Sequence, residues 1–399
     1  MPPGVRRALL IAVVLLAAAA ADEGELRPLP IGLELVESVP LETESALDDP
    51  SIRQTQEVWL EMINSAKENL DLEFFYLRFE PKTALEPVVK AVEAARTRGV
   101  RVRVLVDSKF LITYPQLWER WASLGIELRK IKFASGVQHT KLMLVDHQQV
   151  FLGRQNFDFT ALSHIRELGV HVTQPELAGC YQQAFEHDWA VSEGDTPPPK
   201  LSPVTARFPV KMGDLELFPV FSPNDPQWNA GNPEELALVE LLRSARERID
   251  LQVMSYSPLV VSHPGDGPLP KRYETLDIEL RAAAARGVEV HLLVSDWGIK
   301  PPLLTPLETL STLPHLEIKV SHIPPWSGGE IPFARVGHSK YLVVDSQRGW
   351  LGTSNWEYSY FMTSRDMGLA FEGKSLAGRL QAFFERDWNG PYVRHLPGK

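Results

Sequence analysis

The stretches His139–Asp146 (HTKLMLVD) and His338–Asp345 (HSKYLVVD) decide the fold, because each holds a His, a Lys two residues on and an Asp five beyond the Lys. At the chain's own frequencies of these residues, chance yields about 0.02 such patterns, so two are no accident. The interiors LMLV and YLVV are apolar throughout and read as buried strands. In an extended segment residues i and i+2 share a face, so each His and its Lys project toward one ligand.

Working outward, the flanks repeat as well. Ala66–Tyr76 (AKENLDLEFFY) matches Ala245–Tyr256 (ARERIDLQVMSY), and each reads as a helix end running into a buried strand. Arg98-Gly99-Val100 leads into RVRVLVD and Arg286-Gly287-Val288 into EVHLLVSD, a helix stopped by glycine before a β-branched strand. FEHDW ends at Trp189 and FERDW at Trp388. The offset between copies grows from 179 at the first strand to 188 at the second and 199 at the histidines, then holds to the last tryptophan. One unit has been duplicated, with insertions in the loops of the second copy. The alternation of strands and helices predicts an α/β fold: two α/β/α sandwich halves, with mixed, mostly parallel sheets, related by a pseudo-two-fold axis. The halves are expected at residues 30–195 and 204–399, joined by a stiff proline-rich connector at 196–203.

Composition narrows the function. The chain has 399 residues, 44% of them hydrophobic, so it can bury a large core. Its net charge of -10 argues against a protein that coats nucleic acid or anionic membrane over its whole surface, so any phosphate site is local. The one cysteine, Cys180, forms no internal disulfide and has no partner cysteines for a metal site. Arg6 and Arg7 followed by the apolar run Ala8–Ala21 read as a signal peptide over residues 1–21, and hence an exported protein, secreted or periplasmic. A retained signal anchor is the alternative reading of the same run; after cleavage no stable membrane insertion is expected.

Each motif continues into a glycine and an asparagine, Leu152-Gly153-Arg154-Gln155-Asn156 and Leu351-Gly352-Thr353-Ser354-Asn355. Asn156 and Asn355 offer amide donors for phosphate oxygens. Glu167 lies 28 residues after His139 and Asp366 lies 28 after His338, the place for carboxylates that orient imidazoles. His139, Lys141, His338 and Lys340 around one point suit displacement at a phosphodiester: one His attacks phosphorus, the other protonates the leaving oxygen and then activates water. Asp146 and Asp345 complete the motif, and bracing the turn after the strand is the favoured reading for them over contact with substrate. The scheme needs no cofactor, and an ammonium beside each His disfavours a metal ion.

These paired motifs with their trailing GxxN resemble the phospholipase D superfamily, over nearly the whole chain. Ile331–Val336, Ser295-Asp296-Trp297-Gly298, the Gly352–Trp356 stretch and the closing Arg386-Asp387-Trp388 are similar to the animal lysosomal branch of 5′ exonucleases once classed as phospholipases. The resemblance implies that His139 is the nucleophile, that His338 is the acid and base, and that the substrate is the 5′ end of single-stranded DNA or RNA. Arg154 and Thr353 depart from the Ser that many members carry after the motif glycine. Phe157, Trp326, Phe333, Trp356 and Phe361 are candidates for stacking on bases, whereas Tyr76 and Tyr256 read as core. A phospholipase D or transphosphatidylase acting on phospholipid is the rival reading, with Ile299–Leu304 and Trp326 as a candidate apolar lip, and a noncatalytic phosphate-binding module is the third. One chain completes the site, so a monomer suffices. An acid that must be protonated predicts an optimum below neutrality.

Overall fold

The computed structural model describes residues 26–192, 209–260 and 272–396. The expected signal segment and the connector lie outside them. In the first half, the chain-adjacent strands Lys141–Val145 and Gln149–Gly153 form a hairpin at the centre of a sheet. On one side lie Glu167–Thr173, Leu33–Ser38 and the short edge Arg53–Gln54; on the other lie Asn69–Phe74, Arg101–Asp107 and Glu127–Ile131. The second half repeats this order with Leu215–Ser222, Asp366–Glu372, Arg348–Gly352, Tyr341–Val344, Arg248–Val253, Glu289–Ser295 and Leu316–Ser321, and adds Val210–Met212 and Val393–His395 at its edges.

The sheets are mixed, with one correction to the expected pattern. Five of the seven equivalent strands in each half run one way, but the strand after the motif His and the strand bearing Glu167 or Asp366 run opposite. Antiparallel ladders therefore outnumber parallel ones in each sheet. The cause is local: Asp146-His147 and Asp345-Ser346 all have positive φ, the two-residue turn that closes an antiparallel hairpin.

Three apolar clusters fill the layers. Helices Thr55–Ser65 and Leu85–Thr97 cover the outer face of the first sheet through residues such as Trp59, Val88, Val92, Leu72 and Val104. Glu234–Ser244 and Thr275–Ala285 do the same for the second. The third cluster is shared between halves, joining Leu144 and Leu152 to Leu369 and Phe371 through helices Pro175–Ser192 and Lys374–Asn389. Each buried Leu or Val contributes about 1.5–3 kcal/mol. That offsets the cost of placing Lys141, fully buried, in the same strand as Leu142 and Leu144.

The helix stops behave as the sequence predicts. Gly99 and Gly287 have φ of +94° and +87°, and Val100 and Val288 donate back to Ala95 and Ala283 at 3.1 Å. Nothing lies near a Cβ added at either glycine, so only the backbone conformation resists substitution. Gly99→Ala and Gly287→Ala are each expected to cost about 1 kcal/mol and about 1–3 °C in thermal midpoint, with turnover unchanged; calorimetry beside an activity assay checks this.

Candidate active site at the junction of the halves

The site is built where the two backbones cross. His139 N donates to Arg365 O at 2.8 Å and Arg365 N to Val137 O at 2.9 Å; the dyad-related pair is His338 N to Arg166 O at 2.8 Å and Arg166 N to Val336 O at 3.0 Å. Each motif His thus enters its strand clipped to the residue just before the other half's carboxylate. The arginines of these clips are buried ion-pair centres. Arg166 reaches Glu37 at 2.5 Å and Asp387 at 3.0 Å, and Arg365 reaches Asp188 at 2.6 Å. Asp188 and Asp387 are the aspartates of FEHDW and FERDW, so the closing motif ties the halves together.

The carboxylates consequently serve the opposite histidines. Asp366 Oδ1 accepts from His139 Nδ1 at 2.8 Å, and Glu167 Oε1 pairs with His338 Nδ1 at 2.5 Å. Lys141 Nζ donates to His139 O at 2.6 Å and Lys340 Nζ to His338 O at 2.9 Å. Burial, with the neighbouring cations Lys141, Lys340 and Arg154, holds both imidazoles well below their ordinary range. Burial also holds both lysines well below theirs. Burial lifts the two carboxylates unequally, Asp366 to about 6 and Glu167 to about 8. A physical difference between them is at hand: Thr353 Oγ1 donates to Asp366 Oδ1 at 2.7 Å, and Glu167 receives no such hydroxyl among the described residues.

The histidines open onto a cavity of about 310 Å³ with aromatic walls, Phe75, Tyr76, Phe110 and Tyr114 from the first half and Trp297, Phe333 and Tyr360 from the second. Phe75 and Tyr360 hold the His139 ring edge-on from two sides, each at 5.1 Å. Asn156 lines the cavity with its carboxamide oxygen buried and unpartnered, while Asn355 lies fully buried beside the Tyr360 hydroxyl. Of the aromatics singled out in the sequence, Phe333 borders the cavity, whereas Phe157, Trp356 and Phe361 are core and Trp326 packs on His164 in a neighbouring hollow. Tyr76 departs from its expected core role: it lines the cavity and anchors its hydroxyl to Asp158 at 3.0 Å. Tyr256 is core, as expected. Phe110, Tyr114 and Tyr360 escaped notice because they sit in no shared motif, and Phe75 and Trp297, though inside stretches the sequence singles out, carry no mark that separates a cavity wall from core.

Eight of the ten named residues converge. Asp146 and Asp345 do not, and their place in a catalytic set is corrected here: they stand at the far ends of their strands. Asp146 accepts three backbone N–H bonds, from Lys67, Glu68 and Asn69, at 2.8–2.9 Å, and Asp345 does the same for Arg246, Glu247 and Arg248. These bonds hold the Asp146 carboxyl below its ordinary range despite partial burial. Asp146→Ala is expected to cost about 2–3 kcal/mol of stability while the folded fraction turns over within about twofold of wild type. Denaturant melts paired with kinetics test this, and a folded variant with activity lost a hundredfold would place the carboxylate on substrate.

The comparisons with known proteins agree with this geometry. A family model described as "Cardiolipin synthase, PLD-like domain" matches residues 59–189 and 238–388, one copy per half. The chain is 29% identical over 391 residues to "Phospholipase D Z" of Dictyostelium discoideum, covering 90% of each. It is 31% identical over 403 residues to "5'-3' exonuclease PLD3" of Rattus norvegicus, covering 92% of this chain and 81% of that one. Among solved structures, phosphatidylserine synthase of Haemophilus influenzae shares the fold with a TM-score of 0.61 at 14% identity, covering 86% of this chain and 85% of that one. With one of the crossed histidines inside each family segment, the chain belongs to the phospholipase D superfamily and is a phosphodiesterase of that group.

Proposed function

We propose that the protein is a metal-independent phosphodiesterase that forms a covalent phosphohistidine and removes nucleotides from the 5′ end of single-stranded DNA or RNA. The observation that carries this is the pair of histidines, each oriented by the other half's carboxylate, facing one aromatic cleft. Bases offer flat faces to such walls, and stacking contributes about 1–3 kcal/mol per base. Lys141, Lys340 and Arg154 outnumber the carboxylates Glu167 and Asp366 around the histidines, a cationic bias that suits a phosphodiester monoanion. The same cations repel a metal ion from the histidines.

The unequal carboxylates divide the labour. Asp366, ionised at neutral pH, accepts from His139 Nδ1–H and leaves a lone pair on Nε2 for attack at phosphorus. The Glu167–His338 pair keeps an extra proton until about pH 8 and delivers it to the leaving oxygen as the P–O bond breaks. His338 then takes a proton from water, whose oxygen displaces His139 from phosphorus. The relatives named 5′-3′ exonuclease support the nucleic-acid substrate. The proposed setting is outside the cytoplasm, with one chain forming a complete site.

A phospholipid substrate is the second reading, favoured by Phe333, 71% exposed at the cleft, and by Ile112, 91% exposed on the segment between the cleft residues Phe110 and Tyr114. The earlier candidate lip is weaker, since Ile299 and Leu304 pack against the core. His139→Ala and His338→Ala are expected to abolish turnover of an end-labelled single-stranded oligonucleotide while the melting curve is kept, and full activity should persist in excess chelator. Lipid turnover without nucleotide release would transfer the protein to the second reading. The pH profile of kcat/KM should be a bell with limbs near 6 and 8. Below 6 the Asp366–His139 pair gains a proton and loses its nucleophile, and above 8 the Glu167–His338 pair loses its acid. That window is centred near neutrality, higher than an imidazole acid alone would give; a profile lacking the upper limb contradicts the division of roles.

A further inference from the structure

The two halves differ at the residue after the motif glycine, and the difference falls at the reacting atoms. Thr353 gives its hydroxyl to Asp366. Its dyad counterpart Arg154 is fully buried and sends its guanidinium across into the second half. Nη2 lies 2.8 Å from His338 Nε2, Nε 3.4 Å from His338 O, and Nη1 donates to Thr353 O. A guanidinium only donates, so in this state His338 Nε2 is an acceptor and its reactive nitrogen is covered. Arg166 and Arg365, equally buried, each hold a carboxylate; Arg154 forms no ion pair among the described residues. The carboxylates Asp366 and Glu167 act on Arg154 from beyond contact, and its direct hydrogen-bond partners are all neutral, so a place for a contacting anion is left open. Desolvation brings its pKa down to about 10, which leaves it charged at neutral pH.

We infer that Arg154 is a catalytic residue: its guanidinium lies against the reacting nitrogen of His338 and moves onto the nonbridging oxygens when a phosphodiester arrives. The move uncovers His338 Nε2, which then carries the proton of the Glu167–His338 pair to the leaving oxygen. A planar fork of N–H donors fits two phosphate oxygens at once, where the hydroxyl at the matching position of the other half offers one. The phosphate pocket is thereby asymmetric, with the stronger anion ligand beside the proton donor and the hydroxyl beside the nucleophile's carboxylate. This inference rests on the reaction proposed above, so its test includes a readout that needs no turnover.

Inorganic phosphate is the probe, titrated calorimetrically into the full chain beside Arg154→Thr, which copies the other half, and Arg154→Lys, which keeps the charge. Arg154→Thr is expected to weaken phosphate binding by at least about tenfold and kcat/KM for a diester by about a hundredfold, with an unchanged or higher melting temperature. Arg154→Lys should recover most of the phosphate affinity and a smaller part of kcat/KM, because an ammonium binds anions without the fork. Phosphate affinity unchanged in Arg154→Thr overturns the inference and leaves Arg154 a packing residue. Should Arg154→Thr fail to fold, Arg154→Lys decides alone: phosphate affinity kept within about threefold with kcat/KM reduced supports the anion-ligand role, and both unchanged or both abolished refutes it. Loss of phosphate affinity together with a wild type that cleaves neither oligonucleotide nor lipid would uphold the anion ligand and sink the proposed reaction, so the two failures are distinct.

Discussion

The structure depends on two buried backbone clips, His139 with Arg365 and His338 with Arg166, that stitch the halves at the pseudo-two-fold axis. Hydrogen bonds of this kind contribute about 1 kcal/mol each, too little to hold two domains together by themselves. Their strength comes from what surrounds them. The side chains of Arg166 and Arg365 neutralise Asp387 and Asp188 of the opposite halves, and an apolar cluster shared by both sheets seals the junction. Removing one arginine would leave a buried carboxylate uncompensated, a change that costs about 3–5 kcal/mol. The clips also fix the register that brings each carboxylate to the opposite histidine, so stability and chemistry share one set of contacts.

Duplication supplies symmetry, and the proposed reaction needs its opposite, with one histidine holding a lone pair while the other holds a proton. Two substitutions supply the difference. Glu replaces Asp as the orienting carboxylate in the first half, and Arg replaces Thr after the glycine. The hydroxyl of Thr353 steadies the ionised Asp366, whereas Glu167 has no hydroxyl donor among the described residues and stays protonated to a higher pH. The remaining scaffold, two sheets of equivalent strand order with helices on both faces, is indifferent to which half does which task.

Much of this was legible in the sequence. A His and a Lys two apart before an apolar run can only be a strand displaying both on one face, and a constant offset of 199 from motif to terminal tryptophan marks equivalent positions. The crossing was not legible. A carboxylate 28 residues after its own histidine looks like that histidine's partner, and only the packing of the halves shows that Glu167 meets His338. The direction of strand pairing was likewise hidden, because the hairpin turn at Asp146-His147 shows no glycine. The aromatic walls were missed for a third reason: Phe75 follows a strand end, Tyr114 lies in a loop and Tyr360 in the short helix Tyr358–Met362, where nothing separates a cavity wall from a core residue until the chain is folded.

The central claim is that each half completes the other's histidine, and titration of the histidine rings by nitrogen-15 NMR tests it most directly in the full chain. With Asp366→Asn the ring of His139 should change its tautomer balance and pKa while His338 holds, and with Glu167→Gln the reverse should occur. A result in which each substitution moves the histidine of its own half, 28 residues away in sequence, would contradict the crossed site and the account built on it.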